Sequence, residues 1–402
     1  MSHTQSRRHG SSTWASTWAS KLIELPTFLG LLFALVVSFK PHWIGFVHSV
    51  TDYETSRVIT QATAPGYLFP LILGVILICA FRASANAEAI AHRLREPFGS
   101  LVLTLSAVTI EVALVVGIML TGKSEDHVAR DTMFAVVMLI MNGLVGFALV
   151  MGGLRKREQT FNAKSASSFL ALITALSLIG LVLPRLTVSR PGGYMSAQME
   201  FFVACASLGL YVAFLALQAS SHREFFIERN PEAAAHPSAH ASAHTLQSTP
   251  GSRLAMAKIV GWLVVALVAV VLLAESLGEL LVTALGKRYL PAGLAGVVVA
   301  TLIMLPEGIA ATRAAWSSNL QRTINVLHGS ALSTIGLTIP AVLFVSLLIG
   351  TPVELGLEPA QIALLAGTII ISMLHLSLGR ANLMQGIVHL MFFTMWIALL
   401  LD

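Results

Sequence analysis

The sequence predicts an all-α polytopic membrane protein with about eleven transmembrane helices, an extra N-terminal helix followed by two inverted five-helix repeats. Three observations support this fold class. Of the 402 residues, 55% are hydrophobic and only 11% are charged, whereas soluble domains carry about 25% charged residues. The mean hydropathy is +0.79. A polar segment in the middle of the chain divides the apolar stretches into two groups.

The apolar stretches are long enough to form membrane helices, because a helix that spans the bilayer needs about 20 mostly apolar residues. None shows the sustained period-two alternation of membrane strands, so we expect helices throughout. The expected spans are 24–47, 65–85, 99–121, 131–152, 166–186, 199–219, 258–286, 290–314, 322–348, 359–378 and 382–401.

The polar segment at 228–253 is rich in Ala, Ser, Pro and His and predicts a cytoplasmic linker between the repeats. A cytoplasmic tail (1–23) and the extra helix (24–47) precede the first repeat (65–227), and the second repeat covers 254–402. Because each repeat has an odd number of helices, the second copy crosses the bilayer in the opposite direction. Inverted repeats of this kind place the binding site near the midplane, where they meet.

The distribution of charge predicts the orientation. Most of the 25 Lys and Arg residues fall on the cytoplasmic side if the N-terminus is cytoplasmic, as the positive-inside rule requires. The C-terminus then lies outside, and the expected location is the inner membrane of a bacterium. Glu354 and Glu358 fall in an outer loop without Lys or Arg, and we expect them to be solvated.

Two glutamates lie in the middle of long apolar spans at comparable places in the two halves. Glu111 is in the third span and Glu307 in the eighth. A charged group at bilayer depth costs on the order of a few kcal/mol, so such residues usually mark an ion or proton path. Their paired positions indicate one binding site built from an internal repeat.

Polar residues near the two acids complete the candidate site. Asn142 lies in the fourth span, where Gly143 and Gly146 allow helix backbones to approach closely. Pro306 has no amide hydrogen, so we expect it to interrupt and kink the eighth span and to free a carbonyl beside Glu307. Four hydroxyl-bearing residues of the ninth span share or border one face: Ser330, Ser333, Thr334 and Thr338.

The motifs around these residues resemble the α-repeats of the calcium:cation antiporter (CaCA) superfamily, in particular the bacterial calcium/proton, sodium–potassium/proton branch. The resemblance covers the chain from about residue 65 to the end. The matching segments are Glu96–Val112 (EPFGSLVLTLSAVTIEV), Arg130–Phe134 (RDTMF), Asn142–Gly146 (NGLVG), Leu305–Ala310 (LPEGIA), Gln321–Asn325 (QRTIN) and Gly329–Ser333 (GSALS).

This resemblance implies a secondary transporter that exchanges a cation for protons by alternating access. It assigns the central cation- and proton-binding carboxylates to Glu111 and Glu307, which would be the metal ligands. It also draws attention to Glu88 and Glu275, near the ends of the second and seventh spans, as acids of an access path or as solvated helix-end charges. The expected partners are small inorganic cations, protons and the lipid bilayer.

One departure from the family bears on selectivity. Calcium/proton exchangers carry a Gly-Asn-Ala-x-Glu pattern in each repeat, whereas this chain reads AVTIE at 107–111 and IMLPE at 303–307. Calcium prefers six to eight oxygen ligands, so the missing amides leave room for sodium or potassium. The alternative reading is therefore a monovalent Na⁺(K⁺)/H⁺ antiporter with little Ca²⁺ transport.

Other functional classes are more distant. A passive cation channel would use similar oxygens, whereas an intramembrane enzyme is disfavoured because the chain has no His-Glu-x-x-His motif. Cys79 and Cys205 both fall in apolar spans, so no disulfide is expected. The basic pI of about 9.4 follows from the positive-inside bias and does not indicate nucleic acid. We expect no cofactor and no obligatory protein partner.

Overall fold

A computed structural model of the chain describes residues 25–37, 48–52, 57–61, 68–91, 93–94, 98–120, 127–219, 251–286 and 294–401. The expected tail at 1–23, most of the expected linker at 228–253 and the C-terminal Asp402 lie outside these residues.

Eleven helices occupy the described residues, in the order that the sequence predicts. Their bounds are α1 Leu25–Val37, α2 Leu68–Ala91, α3 Phe98–Leu120, α4 Val128–Arg155, α5 Ala163–Leu186, α6 Ala197–Ala219, α7 Gly251–Gly286, α8 Leu294–Trp316, α9 Leu320–Ile349, α10 Pro359–Leu376 and α11 Leu383–Leu401. Apart from α1, they form two successive groups of five, α2–α6 and α7–α11.

The helices confirm a polytopic membrane protein. In the described part of the chain, nine helices are long and apolar enough to cross a bilayer. Two apolar stretches are shorter there, Leu25–Val37 in α1 and Val102–Gly117 in α3. The fold class is therefore confirmed, while the number of eleven spans is not established.

Two short antiparallel strand pairs were not predicted. β1 (His48–Asp52) pairs with β2 (Arg57–Gln61). β3 (Glu158–Thr160) follows α4, and β4 (Arg380–Asn382) precedes α11; the two pair in the register Glu158↔Asn382. The second pair joins the first and second repeats at one end of the bundle, which we call the β3–β4 end.

The two groups of five helices share one core and pack reciprocally. The last helix of the first group, α6, packs against α9, and the last helix of the second group, α11, packs against the equivalent helix α4. Between these pairs, α8 lies against α4 and α9, and α7 lies along α2 and α3. The reciprocal packing brings α3 and α8, the helices that carry the two central acids, into the middle of the bundle.

Wide turns occur at equivalent places in the two groups. A π-helical turn covers Leu139–Leu144 in α4 and another covers Thr334–Thr338 in α9; a third covers Leu178–Val182 in α5. Such turns are rare and are frequent at functional sites. By contrast, α8 continues as one helix through Pro306, so the expected interruption there is wrong. A proline removes only its own amide hydrogen bond, and the surrounding helix is held by its packing.

Close backbone contacts hold α4 against α11, as the sequence predicts for Gly146. A Cβ atom added at Gly146 would lie 3.0 Å from the carbonyl oxygen of Gly386, and one added at Gly386 would lie 2.7 Å from the amide nitrogen of Val150. Because these neighbours are backbone atoms, they cannot move aside as a side chain would. The two glycines therefore set the distance between the helices.

This contact predicts that Gly386→Ala destabilises the protein. The added methyl group must push α11 away from α4, and overpacking of this kind costs about 1–3 kcal/mol. We expect a lower midpoint of thermal unfolding in detergent, followed by intrinsic fluorescence. Gly209→Ala in α6 is the matched control, because a Cβ atom there has no neighbour within 4 Å. An equal loss in both variants would contradict this account of the α4–α11 contact.

Candidate functional site

Glu111 lies near the middle of α3 and is only 1% exposed. Its Oε2 atom accepts a hydrogen bond of 2.9 Å from the Thr334 hydroxyl, which lies in the π-helical turn of α9. Its Oε1 atom is buried and has no hydrogen-bond partner in the described part of the chain. The Thr338 hydroxyl faces the same carboxylate from one turn further along α9. Glu111 therefore has one satisfied oxygen and one that is available to a ligand.

Glu307 lies near the middle of α8, which contacts α3, the helix that carries Glu111. Its Oε2 atom is also buried without a hydrogen-bond partner among the described residues. No Lys or Arg of the described residues forms an ion pair with either acid. A buried carboxylate without a fixed cation is costly in its ionised form, so each of the two acids favours a bound proton or a nearby cation.

A cavity of about 350 Å³ connects Glu307 with one end of the bundle. Near the acid it is lined by Thr104, Pro306, Ser330 and Ser333. At its far end are Glu88, Arg322 and Asn325. The Glu88 and Arg322 side chains are about half exposed and lie 3.9 Å apart. The cavity thus gives Glu307 a polar route to the β3–β4 end.

The predicted hydroxyl stripe divides between the two acids. Ser330 and Ser333 line the cavity beside Glu307, and the Ser333 hydroxyl donates to the Ser330 carbonyl at 2.9 Å. Thr334 and Thr338 face Glu111 instead. The α-helical turn before residue 334 therefore presents its hydroxyls to the cavity beside Glu307, and the wide turn at Thr334–Thr338 presents its hydroxyls to Glu111.

Asn142 makes its hydrogen bonds with groups other than the two acids. Its amide nitrogen donates to the Thr368 hydroxyl at 2.8 Å, and its oxygen lies 3.2 Å from His389 Nδ1. Both partners belong to the second repeat, on α10 and α11. The amide therefore joins the repeats inside the membrane, and the structure does not bring it to Glu111 or Glu307.

The two access-path candidates have different outcomes. Glu88 lines the outer part of the cavity, as an access-path residue would. The Glu275 side chain lies outside the described residues, although its backbone belongs to α7. Arg322 and Asn325 also line the cavity but were not singled out from the sequence. Their position in the QRTIN motif was the sequence signal that could have identified them as residues of the candidate site.

The opposite end of the bundle is closed by an ion-pair cluster. It consists of Arg130 and Asp131 of α4, Arg185 of α5, and Glu354 and Glu358 of the segment before α10.

Arg130 is buried and pairs with Glu354, while Arg185 Nη2 lies 3.0 Å from Glu358 Oε2. The expectation that both glutamates are simply solvated is therefore wrong. Arginines from the first repeat fold over the loop, so Glu354 is only 13% exposed. The cluster ties the two repeats together on the side that the cavity does not reach.

One-sided access predicts a labelling pattern. In a protein with Cys79→Ser and Cys205→Ser, we expect Ser330→Cys to react with a membrane-impermeant maleimide that is added from the β3–β4 end. By the expected orientation, that end is exposed in inside-out vesicles and protected in right-side-out vesicles. Thr338→Cys is the control, since Thr338 is fully buried and does not line the cavity. Faster labelling of Ser330→Cys in right-side-out vesicles would overturn this reading.

Comparison with known proteins identifies the family of this chain. The family model described as "Sodium/calcium exchanger protein" matches residues 66–220 and 258–401. A protein of Sinorhizobium fredii (strain NBRC 101917 / NGR234) that is named as an ionic transporter is 38% identical over 328 residues, 81% of this chain and 86% of the relative. The sodium-potassium/proton antiporter ChaA of Escherichia coli (strain K12) is 30% identical over 322 residues, 80% of this chain and 85% of ChaA.

A solved structure agrees with the fold. The structure of YfkE covers 93% of this chain and 97% of its own, with a TM-score of 0.68 at 15% identity. At that identity the likeness shows the fold alone. The family match, by contrast, extends over α2–α6 and over most of α7 to α11. The chain therefore belongs to the sodium/calcium exchanger protein family, whose members are secondary cation transporters and not enzymes.

Proposed function

We propose that this protein is a secondary active antiporter that exchanges a cation, Ca²⁺ or alternatively Na⁺ or K⁺, for protons by alternating access. One observation carries the proposal. Glu111 and Glu307 lie on equivalent helices of the two repeats that contact each other, and each has a buried carboxylate oxygen without a hydrogen-bond partner in the described part of the chain. Membership of an exchanger family and the name of the E. coli relative support it.

Competition for the same oxygens gives the exchange. A buried carboxylate without a counter-charge is costly, so each empty site must take up either a proton or a cation. A cation that binds between Glu111 and Glu307 favours their ionised forms and displaces protons. Protons that return to the acids remove the negative charge that held the cation. No resident cofactor is needed, because the transported ions are the cargo.

Alternating access requires the site to open to one side at a time. The cavity opens Glu307 to the β3–β4 end, and the ion-pair cluster closes the other end. We assign the β3–β4 end to the cytoplasm of a bacterial inner-membrane protein, with the N-terminus inside and the C-terminus outside. Arg155, Lys156, Arg157, Arg313 and Arg380 lie at this end, in agreement with the positive-inside rule.

The central test is transport by glutamine variants. In inside-out vesicles that accumulate protons, we expect Glu111→Gln and Glu307→Gln each to reduce cation-driven proton release to the vesicle background, because one carboxylate alone cannot exchange the full charge. An entrapped pH-sensitive dye follows the lumenal pH. The control is Glu158→Gln, which removes a surface carboxylate that lies 3.7 Å from Arg380. Retention of proton-coupled cation flux in either central variant would refute the site.

A specific observation favours a monovalent cation as the second candidate. With Asn142 bound to Thr368 and His389, the described groups near the two acids are carboxylates and hydroxyls. Two carboxylates offer at most four oxygens, whereas Ca²⁺ prefers six to eight. A site with few fixed oxygen ligands therefore weakens the case for Ca²⁺ and leaves room for Na⁺ or K⁺.

A cation series distinguishes the two candidates. Proton release from the same vesicles is measured as NaCl, KCl or CaCl₂ is added at equal ionic strength. A monovalent exchanger should respond to Na⁺ or K⁺ at concentrations where Ca²⁺ has little effect, and Glu307→Gln should abolish the response. A larger response to Ca²⁺ would instead identify Ca²⁺/H⁺ exchange. Equal cation flux without any pH change would indicate a passive channel and contradict both.

A further inference from the structure

A second cavity, of about 300 Å³, lies on the face of α8 opposite to Glu307. Thr301 lies at one end of this groove and Arg313 at the other. The wall between them is mainly apolar and is formed by residues of α8 and α4, namely Leu139, Leu144, Met304, Leu305, Gly308 and Ile309. Glu307, Ile303 and Ala310 line the cavity of the candidate site on the other side of the same helix. Thr301, Ile309 and Arg313 are exposed, so the groove opens sideways, toward lipid.

The groove has the length of one half of the bilayer. From Thr301 to Arg313 the helix advances 12 residues, or about 18 Å at the usual rise. Half of the hydrocarbon core is about 15 Å thick. The groove therefore extends past the level of Glu307 and ends at Arg313, three residues before the end of α8 at Trp316.

The surface end of the groove carries two guanidinium groups. Arg313 closes the groove, and Arg155 of α4 is held nearby, since its Nη1 atom donates to the Trp316 carbonyl at 2.8 Å and its guanidinium lies 5.6 Å from the Trp316 ring centre. The Gln159 side chain links the ends of α4 and α8 by donating to the carbonyls of Gly152 and Ala315. Within the described part of the chain, neither guanidinium pairs with a carboxylate.

We propose that this groove binds one anionic phospholipid. The acyl chain lies along α8 between Thr301 and Thr312, and the phosphate group lies between Arg313 and Arg155, with Trp316 at the level of the headgroups. Basic pockets between transmembrane helices are suited to anionic headgroups, and tryptophan is enriched at the membrane interface.

This site goes beyond the exchange reaction and is independent of it. The groove contacts the back of the helix that carries Glu307, and a Cβ atom added at Gly308 would lie 2.8 Å from Leu144. An occupied groove therefore supports the packing of α8 on α4 in the arrangement seen here. Lipid composition is thereby linked to the helix that binds the cation, without any contact between lipid and cation.

Native mass spectrometry of the full-length protein in detergent tests the proposal. We titrate dioleoyl-phosphatidylglycerol and dioleoyl-phosphatidylcholine separately and expect one phosphatidylglycerol molecule to bind preferentially. Arg313→Gln and Arg155→Gln should each weaken this binding by about fivefold, the effect of one basic residue near the surface. Lys156→Gln is the matched control, because it removes a positive charge at the same end without lining the groove. It should leave the binding unchanged.

A second variant tests the groove itself. Thr301→Trp fills the exposed end of the groove and should reduce binding of both lipids, while the thermal midpoint confirms that the variant is folded. Glycerol 3-phosphate, which has the headgroup charge but no acyl chain, should not displace the bound lipid. Any one of three results would overturn the proposal. The wild-type protein could bind the two lipids with equal affinity, both arginine variants could keep the full preference for phosphatidylglycerol, or glycerol 3-phosphate could displace the bound lipid. None of these outcomes depends on transport activity.

Discussion

Two carboxyl groups in the middle of a helical bundle, without a fixed positive partner among the described residues, are the constraint that the rest of the structure meets. Glu111 receives one hydroxyl from α9, while Glu307 faces the cavity. A lysine or arginine beside them would satisfy the charge permanently and exclude any cargo. The described residues supply neutral hydroxyls instead, which can orient a carboxylate without neutralising it. The site is thus stable only when an exchangeable ion or proton is present.

The fold provides this arrangement by repeating the same elements in both groups of five helices. Each group of five helices contributes one acid from its second helix and one π-helical turn from its third. In α9, Thr334 begins the wide turn and donates to Glu111 of α3, while Ser330, one turn earlier, lies on the cavity wall. The glycine contacts between α4 and α11 keep the helices rigid around these turns. Because α4 and α11 belong to different repeats, these contacts hold the two repeats together beside the turns.

Local sequence signals predicted most of the fold and the centre of the site. Helix order follows from apolar length, and the two glutamates stand out because charge is costly at that depth. Sequence could not assign partners between helices that are far apart in the chain. Asn142 was expected at the acids because its neighbours are glycines, yet helix rotation directs it to Thr368 and His389. Thr334 and Ser330 share a helical stripe, and only the tertiary packing shows that they serve different acids.

The same limit applies at the ends of the bundle. Glu354 and Glu358 have no basic neighbours in sequence, so their pairing with Arg130 and Arg185, more than 150 residues away, depends entirely on how the repeats pack. Pro306 predicted an interruption that does not occur, because the packing of α8 overrides the local effect of proline on the backbone. The roles of the site residues and the limits of the two repeats stay predictions that transport and labelling experiments can test.

The ion-pair cluster has a consequence for the surroundings in which this protein works. Its arginines and acids come from different repeats, so any opening toward that face has to separate opposite charges and hydrate them again. Dissolved salt weakens attraction between partly exposed charges, with a screening length of about 10 Å at 0.1 M. The pair of Arg185 and Glu358 is exposed enough for this screening, whereas the pair of Arg130 and Glu354 is largely buried and is screened much less. A transport cycle that opens this face would therefore keep most of its electrostatic barrier at any ionic strength on that side, because the buried pair must still be separated.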